Sequence, residues 1–105
     1  MALTRANCEA ILVARLKLLL EAAGLAVTVT GTNADLNDPI CVALREMGES
    51  VADISDVADT DLDGVVETDF NELLDRVELR TLETIRVISF SSMSQPAPAV
   101  KSFRN

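Results

Sequence analysis

Apolar and polar positions along this chain alternate with helical period in three places. The first runs from Thr4, a suitable N-cap, to Gly24, a suitable residue just past a helix end. Its polar positions Arg5, Glu9, Lys17 and Glu21 fall at four-residue steps, interrupted by Val13, and read as one solvated stripe. Ile11, Leu12, Leu16, Leu18, Leu19 and Leu20 occupy most of the remaining surface. An ordinary surface helix has a narrower apolar arc. This one is expected to be covered on several sides, with Ile11, Leu12, Leu16 and Leu19 packing between subunits.

Ala26-Val27-Thr28-Val29-Thr30 alternates and is β-branched, which suggests a short extended segment before a loop from Gly31 to Asn37. Asp38-Pro39 then has the form of an N-cap followed by proline at the first helical position. The second helix would end after Met47, at Gly48, with Ile40, Leu44 and Met47 along one face. The stretch from Glu49 to Asp69 is rich in Asp, with turns or short helices expected near 55–58 and 60–63. The last helix is expected from about Asp69, with Glu72 placed for a capping box, to about Arg86. Phe70, Leu73, Leu74, Val77, Leu82 and Ile85 form its apolar side, and Glu72/Arg76, Arg80/Glu83 and Glu83/Arg86 are oppositely charged neighbours. The class is therefore all-α: a small bundle of three to four helices.

The chain changes character after Arg86. Residues 1–86 hold all 17 acidic groups against seven basic ones, a net charge of −10, whereas residues 87–105 carry only Lys101 and Arg104. Residues 87–105 are rich in Ser and Pro, and their thin apolar supply cannot offset the entropy of ordering them alone. They are expected to form an extended C-terminal arm on a domain of residues 1–86. Val87-Ile88-Ser89-Phe90 suits strand addition to another chain, and Met93, Val100, Phe103 and Arg104 are further candidate anchors on a partner.

An overall charge of −8 and the absence of His weigh against nucleic-acid binding, which needs clustered Lys and Arg. Without His, the commonest general base is missing, and no Ser or Cys has a recognisable nucleophile setting, so no catalytic residue and no cofactor are expected. Cys8 and Cys41 both fall in helical segments and read as buried, reduced thiols rather than metal ligands. No apolar run, Leu18-Leu19-Leu20 included, is long enough to span a bilayer.

Asp59, Asp61, Asp63 and Gly64 match the opening half of an EF-hand calcium loop, with Val66 at the apolar eighth place. The twelfth place, which should hold a bidentate Glu, is Phe70, with Asp69 before it and Glu72 two beyond. Acidic caps and solvated turns are the preferred reading of this stretch, and a calcium-binding module is the alternative.

The last helix, Asn71-Glu72-Leu73-Leu74-Asp75-Arg76-Val77-Glu78-Leu79-Arg80-Thr81-Leu82-Glu83-Thr84-Ile85, follows an Asp-rich stretch and two earlier helices. In this order it resembles the head-to-tail adaptor (connector) proteins of tailed bacteriophages over residues 8–86. Many of those proteins continue into a longer helical region, where this chain is expected to turn into a short arm. The resemblance implies a structural protein of the virion neck, assembled in the host cytoplasm as a homo-oligomeric ring, typically of twelve copies. Such a ring joins the portal protein to the next neck or tail protein and lets DNA pass through its centre without sequence-specific binding. The arm, residues 87–105, would reach the portal. A small acidic regulator that binds a basic partner is a further alternative.

Overall fold

The computed structural model describes residues 3–94, with side chains described through Phe90. Three substantial α-helices make the body: α1 (Arg5–Ala22), α2 (Ala34–Glu46) and α4 (Phe70–Ser94). Between α2 and α4 lie a single-turn helix α3 (Asp59–Leu62) and a 3₁₀ turn (Glu67–Asp69). The all-α class is thus the architecture observed, with no strand among the described residues. Residues 26–30, expected to be extended, form irregular backbone that pairs with no strand.

Local chemistry fixes the helix ends. The Thr4 hydroxyl accepts the Asn7 backbone N–H at 3.1 Å and caps α1. Gly24 follows the end of α1 with φ +76°, and Gly48 follows α2 with φ +84°, a left-handed conformation that costs glycine little. At each end the chain folds back in the same two bonds. Gly24 N–H donates to Glu21 and Leu25 N–H to Leu20, while Gly48 N–H donates to Arg45 and Glu49 N–H to Leu44.

The start of α2 departs from expectation. The N-cap is Asn33, whose Oδ1 accepts from Asp35 N–H at 3.0 Å and Leu36 N–H at 3.1 Å. Pro39 therefore lies inside the helix rather than at its first position. A proline there removes one intrahelical bond. The Asn33 cap and the burial of Leu36, Asn37, Pro39 and Ile40 outweigh that loss.

Helix α4 packs against both α1 and α2. It runs antiparallel to α2: Glu46, at the end of α2, holds Arg76 at 3.3 Å and Arg80 at 2.8 Å. Arg15 of α1 reaches Asp75 at 3.3 Å and Glu78 at 2.9 Å. Exposed pairs of this type contribute little individually, about 0–1 kcal/mol, but they fix how the helices align. The core beneath them joins Leu12, Leu16 and Leu20 of α1, Leu36, Ile40 and Leu44 of α2, and Leu73, Leu74, Val77 and Ile85 of α4. Val57, Leu62 and Val65 close it from the Asp-rich segment. The Thr81 hydroxyl, buried on α4, donates to the Val77 carbonyl at 2.8 Å and so enters this apolar face without an unmet bond.

Arg5 and Glu9 overturn the expected solvated stripe. They are 3 % and 0 % exposed and lie on the buried side of α1 with Cys8, Leu12, Leu16 and Leu20. Arg5 Nε donates to Glu9 Oε2 at 3.0 Å. The rest of the guanidinium donates to Asn33 O at 2.7 Å, Asn37 Oδ1 and Val57 O at 3.0 Å each, and Asp56 Oδ1 at 3.2 Å. Glu9 accepts from the backbone N–H of Gly31 at 2.7 Å and of Asn33 at 2.9 Å. Asn33 Nδ2 donates to the carbonyls of Ala26 and Thr28, and Asn37 joins Ile54 O and Val57 N–H. Two irregular loops, before and after α2, have backbone groups that neither helix nor sheet can satisfy. Arg5, Glu9, Asn33 and Asn37 supply the partners, and the network pins both loops to α1.

Candidate interaction surface

The residues expected to pack between subunits divide. Leu12 and Leu16 are buried in the chain's own core, and Ile11 is half-buried against it. Only Leu19 of the four is exposed, and its neighbour Leu18 is more so, at 81 %. The physical reason is the turn of the helix: with Arg5 and Glu9 facing inward, the buried face continues through Leu12, Leu16 and Leu20. Leu18 and Leu19 then point away, beside Arg15 and Lys17.

The C-terminal candidates also differ from the expected arm. Helix α4 does not stop at Arg86 but continues to Ser94, so Val87-Ile88-Ser89-Phe90 is helical and not an extended strand. Good propensity is not the cause, since Val, Ile and Ser are indifferent helix formers. The helix is already nucleated upstream, and each added residue contributes one more backbone bond at little cost. Met93 lies on this helix, and its side chain is outside the described residues, as are Val100, Phe103 and Arg104 altogether.

Because successive helical residues point in different directions, the apolar residues of this last stretch serve different surfaces. Ile88, half-buried, and Val87 line an open groove of about 490 Å³ with Pro39 and Val42 of α2, rimmed by Asp38, Arg80, Glu83 and Thr84. Phe90, 69 % exposed, lies with Val87, Glu83 and Arg86 along a second hollow of about 450 Å³. On the α1 side of α4, Leu79 and Leu82 form a third hollow with Asp75 and Glu78. The outer surface of α4 is therefore apolar at Leu79, Val87 and Phe90, with Glu83 and Arg86 among them. Glu83 is bound by Arg80 at 2.6 Å rather than by Arg86. Arg80 Nε, facing the α2 side, is a buried N–H without an acceptor among the described residues.

The candidate calcium loop begins as a helix: Asp59 to Leu62 form a helical turn, which sets Asp59 and Asp61 about 200° apart around its axis. Asp59 Oδ1 accepts from Arg5 N–H at 2.8 Å, and Asp61 accepts from Ala58 N–H at 2.8 Å and Ala52 N–H at 3.3 Å. Among the described residues no group of three or more acidic, Cys or His side chains is placed to hold a metal ion. Within the acidic stretch, Asp59 and Asp61 bind backbone N–H groups at helix starts, and Asp53 closes a turn onto Ser55.

Cys8 and Cys41 are free and buried. Burial pushes the Cys8 thiol up to about 12, helped by the neighbouring Glu9 carboxylate, and raises Cys41 as well. Thiols so protonated are poor nucleophiles. No helix among the described residues is long and apolar enough to cross a membrane.

Comparison with protein families, with curated proteins and with solved structures finds no match to this chain.

Proposed function

We propose that this chain is a structural subunit of a tailed-phage neck, a head-to-tail adaptor that assembles as a ring between the portal and the next neck or tail component. The observation that supports it best is the end of α4. The core closes at Ile85, yet the helix runs on to Ser94 and carries Val87, Ile88 and Phe90 on largely open surface. A helix that extends an apolar surface past its own core is suited to docking in another protein's groove. The segment from Val87 to Ser94 is the portal-docking element in this reading, and its two turns dock as a helix. Leu18 and Leu19 of α1 are the apolar residues available for lateral contact. A body with net charge −10 over residues 1–86 suits a channel wall, because like charge keeps DNA from adhering. Repetition around a ring multiplies a weak single contact.

The test mixes purified portal rings with the full chain, with a chain ending at Ser94, and with the Val87→Glu/Phe90→Glu variant. Binding by the first two and not by the third is the expected result. Equal binding by all three removes α4 from the portal contact, and binding by none removes the portal as partner.

A further inference from the structure

From Leu79 to Phe90 the outer surface of α4 has an order that is its own complement when reversed, apolar opposite apolar and acid opposite base: apolar Leu79 and Leu82, acidic Glu83, basic Arg86, apolar Val87 and Phe90. At 100° per residue these six side chains share an arc of about 140°, on the side of α4 away from its core residues Val77, Thr81 and Ile85. Leu79, Val87 and Phe90 are all about half exposed or more, and Leu82 is half-buried at the edge.

We infer that this face is a self-complementary docking surface for a second copy of the chain, the two α4 helices lying antiparallel about a two-fold axis between Thr84 and Ile85. In that register Glu83 of each copy meets Arg86 of the other, twice. Leu79 meets Phe90 of the second copy, and Leu82 meets Val87. The hollow of about 250 Å³ lined by Asp75, Glu78, Leu79 and Leu82 lies where the second copy's Phe90 arrives. Isologous contacts require this kind of pattern, in which one patch is its own complement. Charge selects the register. Sliding one helix by three residues either way sets Glu83 against Glu83 or Arg86 against Arg86, which repel. In the favoured register Arg80 faces Ser89, so no like charges meet across the helix pair.

The contact is short, about 17 Å of helix at 1.5 Å per residue, and falls below the size of stable interfaces. The dimer is therefore weak and reversible. It involves no portal or neck protein, so it stands or falls separately from the adaptor reading. Because it covers Val87 and Phe90, it also competes with any other partner of that face.

Sedimentation velocity on the full chain, from about 10 μM to about 1 mM, reads the association directly. A rise from monomer to dimer is expected. Arg86→Glu and Glu83→Arg are each expected to weaken dimerisation about tenfold or more, since each creates two like-charge contacts. The double reversal Glu83→Arg/Arg86→Glu restores the pairing and should return to within about threefold of the parent. Phe90→Ala should weaken the dimer about tenfold with no change of charge. A chain that stays monomeric throughout, single reversals that associate like the parent, or a double reversal no better than the singles would each overturn the proposal. So would assembly into larger species unaffected by these substitutions.

Discussion

Arg5 Nε lies 3.0 Å from Glu9 Oε2, one turn along α1, with both side chains enclosed by the protein. Their pairing differs from an ordinary helical ion pair because each also serves the backbone of a distant loop. Glu9 accepts from Gly31 and Asn33, and Arg5 donates to Asn33 and Val57. Removing either partner leaves a buried charge and several buried backbone groups without bonds. Glu9→Ala is expected to cost about 3–5 kcal/mol. Urea denaturation followed by circular dichroism would measure it, and a loss below about 1 kcal/mol would show that the loops do not depend on the pair.

Asn33 combines two tasks that substitution can separate. Its Oδ1 caps α2 and its Nδ2 holds the carbonyls of Ala26 and Thr28. Asn33→Ser keeps a capping oxygen but loses the two donated bonds, whereas Asn33→Ala loses both functions. Both variants should be destabilised, Ala by about 1 kcal/mol more than Ser, the usual worth of a cap. Equal losses would mean that the cap contributes nothing.

The Cys8 thiol gives the fold a pH dependence of definite sign. Its folded value is about 12 against 9.0 for the free group, so between those values the unfolded chain has released a proton that the folded chain keeps. Stability from this group is whole below pH 9.0 and falls as pH rises toward 12. The slope is at most about 1.4 kcal/mol per pH unit. Cys8→Ala should flatten the alkaline side of the stability profile. Ellman's reagent at pH 8 is expected to label neither thiol until denaturant is added, and rapid labelling of the native protein would contradict the burial of both.

Asp59 and Asp61 are bound to backbone N–H groups, at 2.8 Å in each case. Asp59→Ala should lower stability by about 0.5–1.5 kcal/mol, the worth of one such bond, and Asp61→Ala, which loses the bonds from Ala58 and Ala52, by at least as much. The loss should be the same with millimolar calcium or with a chelator. A calcium-dependent rise in melting temperature that disappears in these variants would restore the ion-binding alternative.

Much of the fold was legible because it depends on near neighbours. Thr4, Gly24 and Gly48 end helices wherever the chain places them, since the bonds they make are within a few residues. The core face of α4 was legible from Leu73, Leu74, Val77 and Ile85, which recur at helical period. The start of α2 was misread because Asp38-Pro39 is a good local signal. Asn33 caps the helix instead, because it also closes the loop to Ala26 and Thr28. The candidate surface was half legible. Val87, Ile88 and Phe90 were identified as candidates, but their helical form was not. The loss of acidic residues after Arg86 marks no structural boundary, because helix propagation does not depend on charge.

What the sequence determined unaided is the period of each helix and the chemistry of its ends, because both arise from contacts between residues close in the chain. What only the tertiary structure decided is which side of each helix faces inward. Spacing shows that Arg5 and Glu9 share a face, but only the loops that fold over them supply the acceptors and donors that make burial affordable. The same choice turned Leu12 and Leu16 into the core and left Leu18 and Leu19 at the surface. Burial of a charged pair depends on partners more than twenty residues away, and no local pattern encodes where those partners will be.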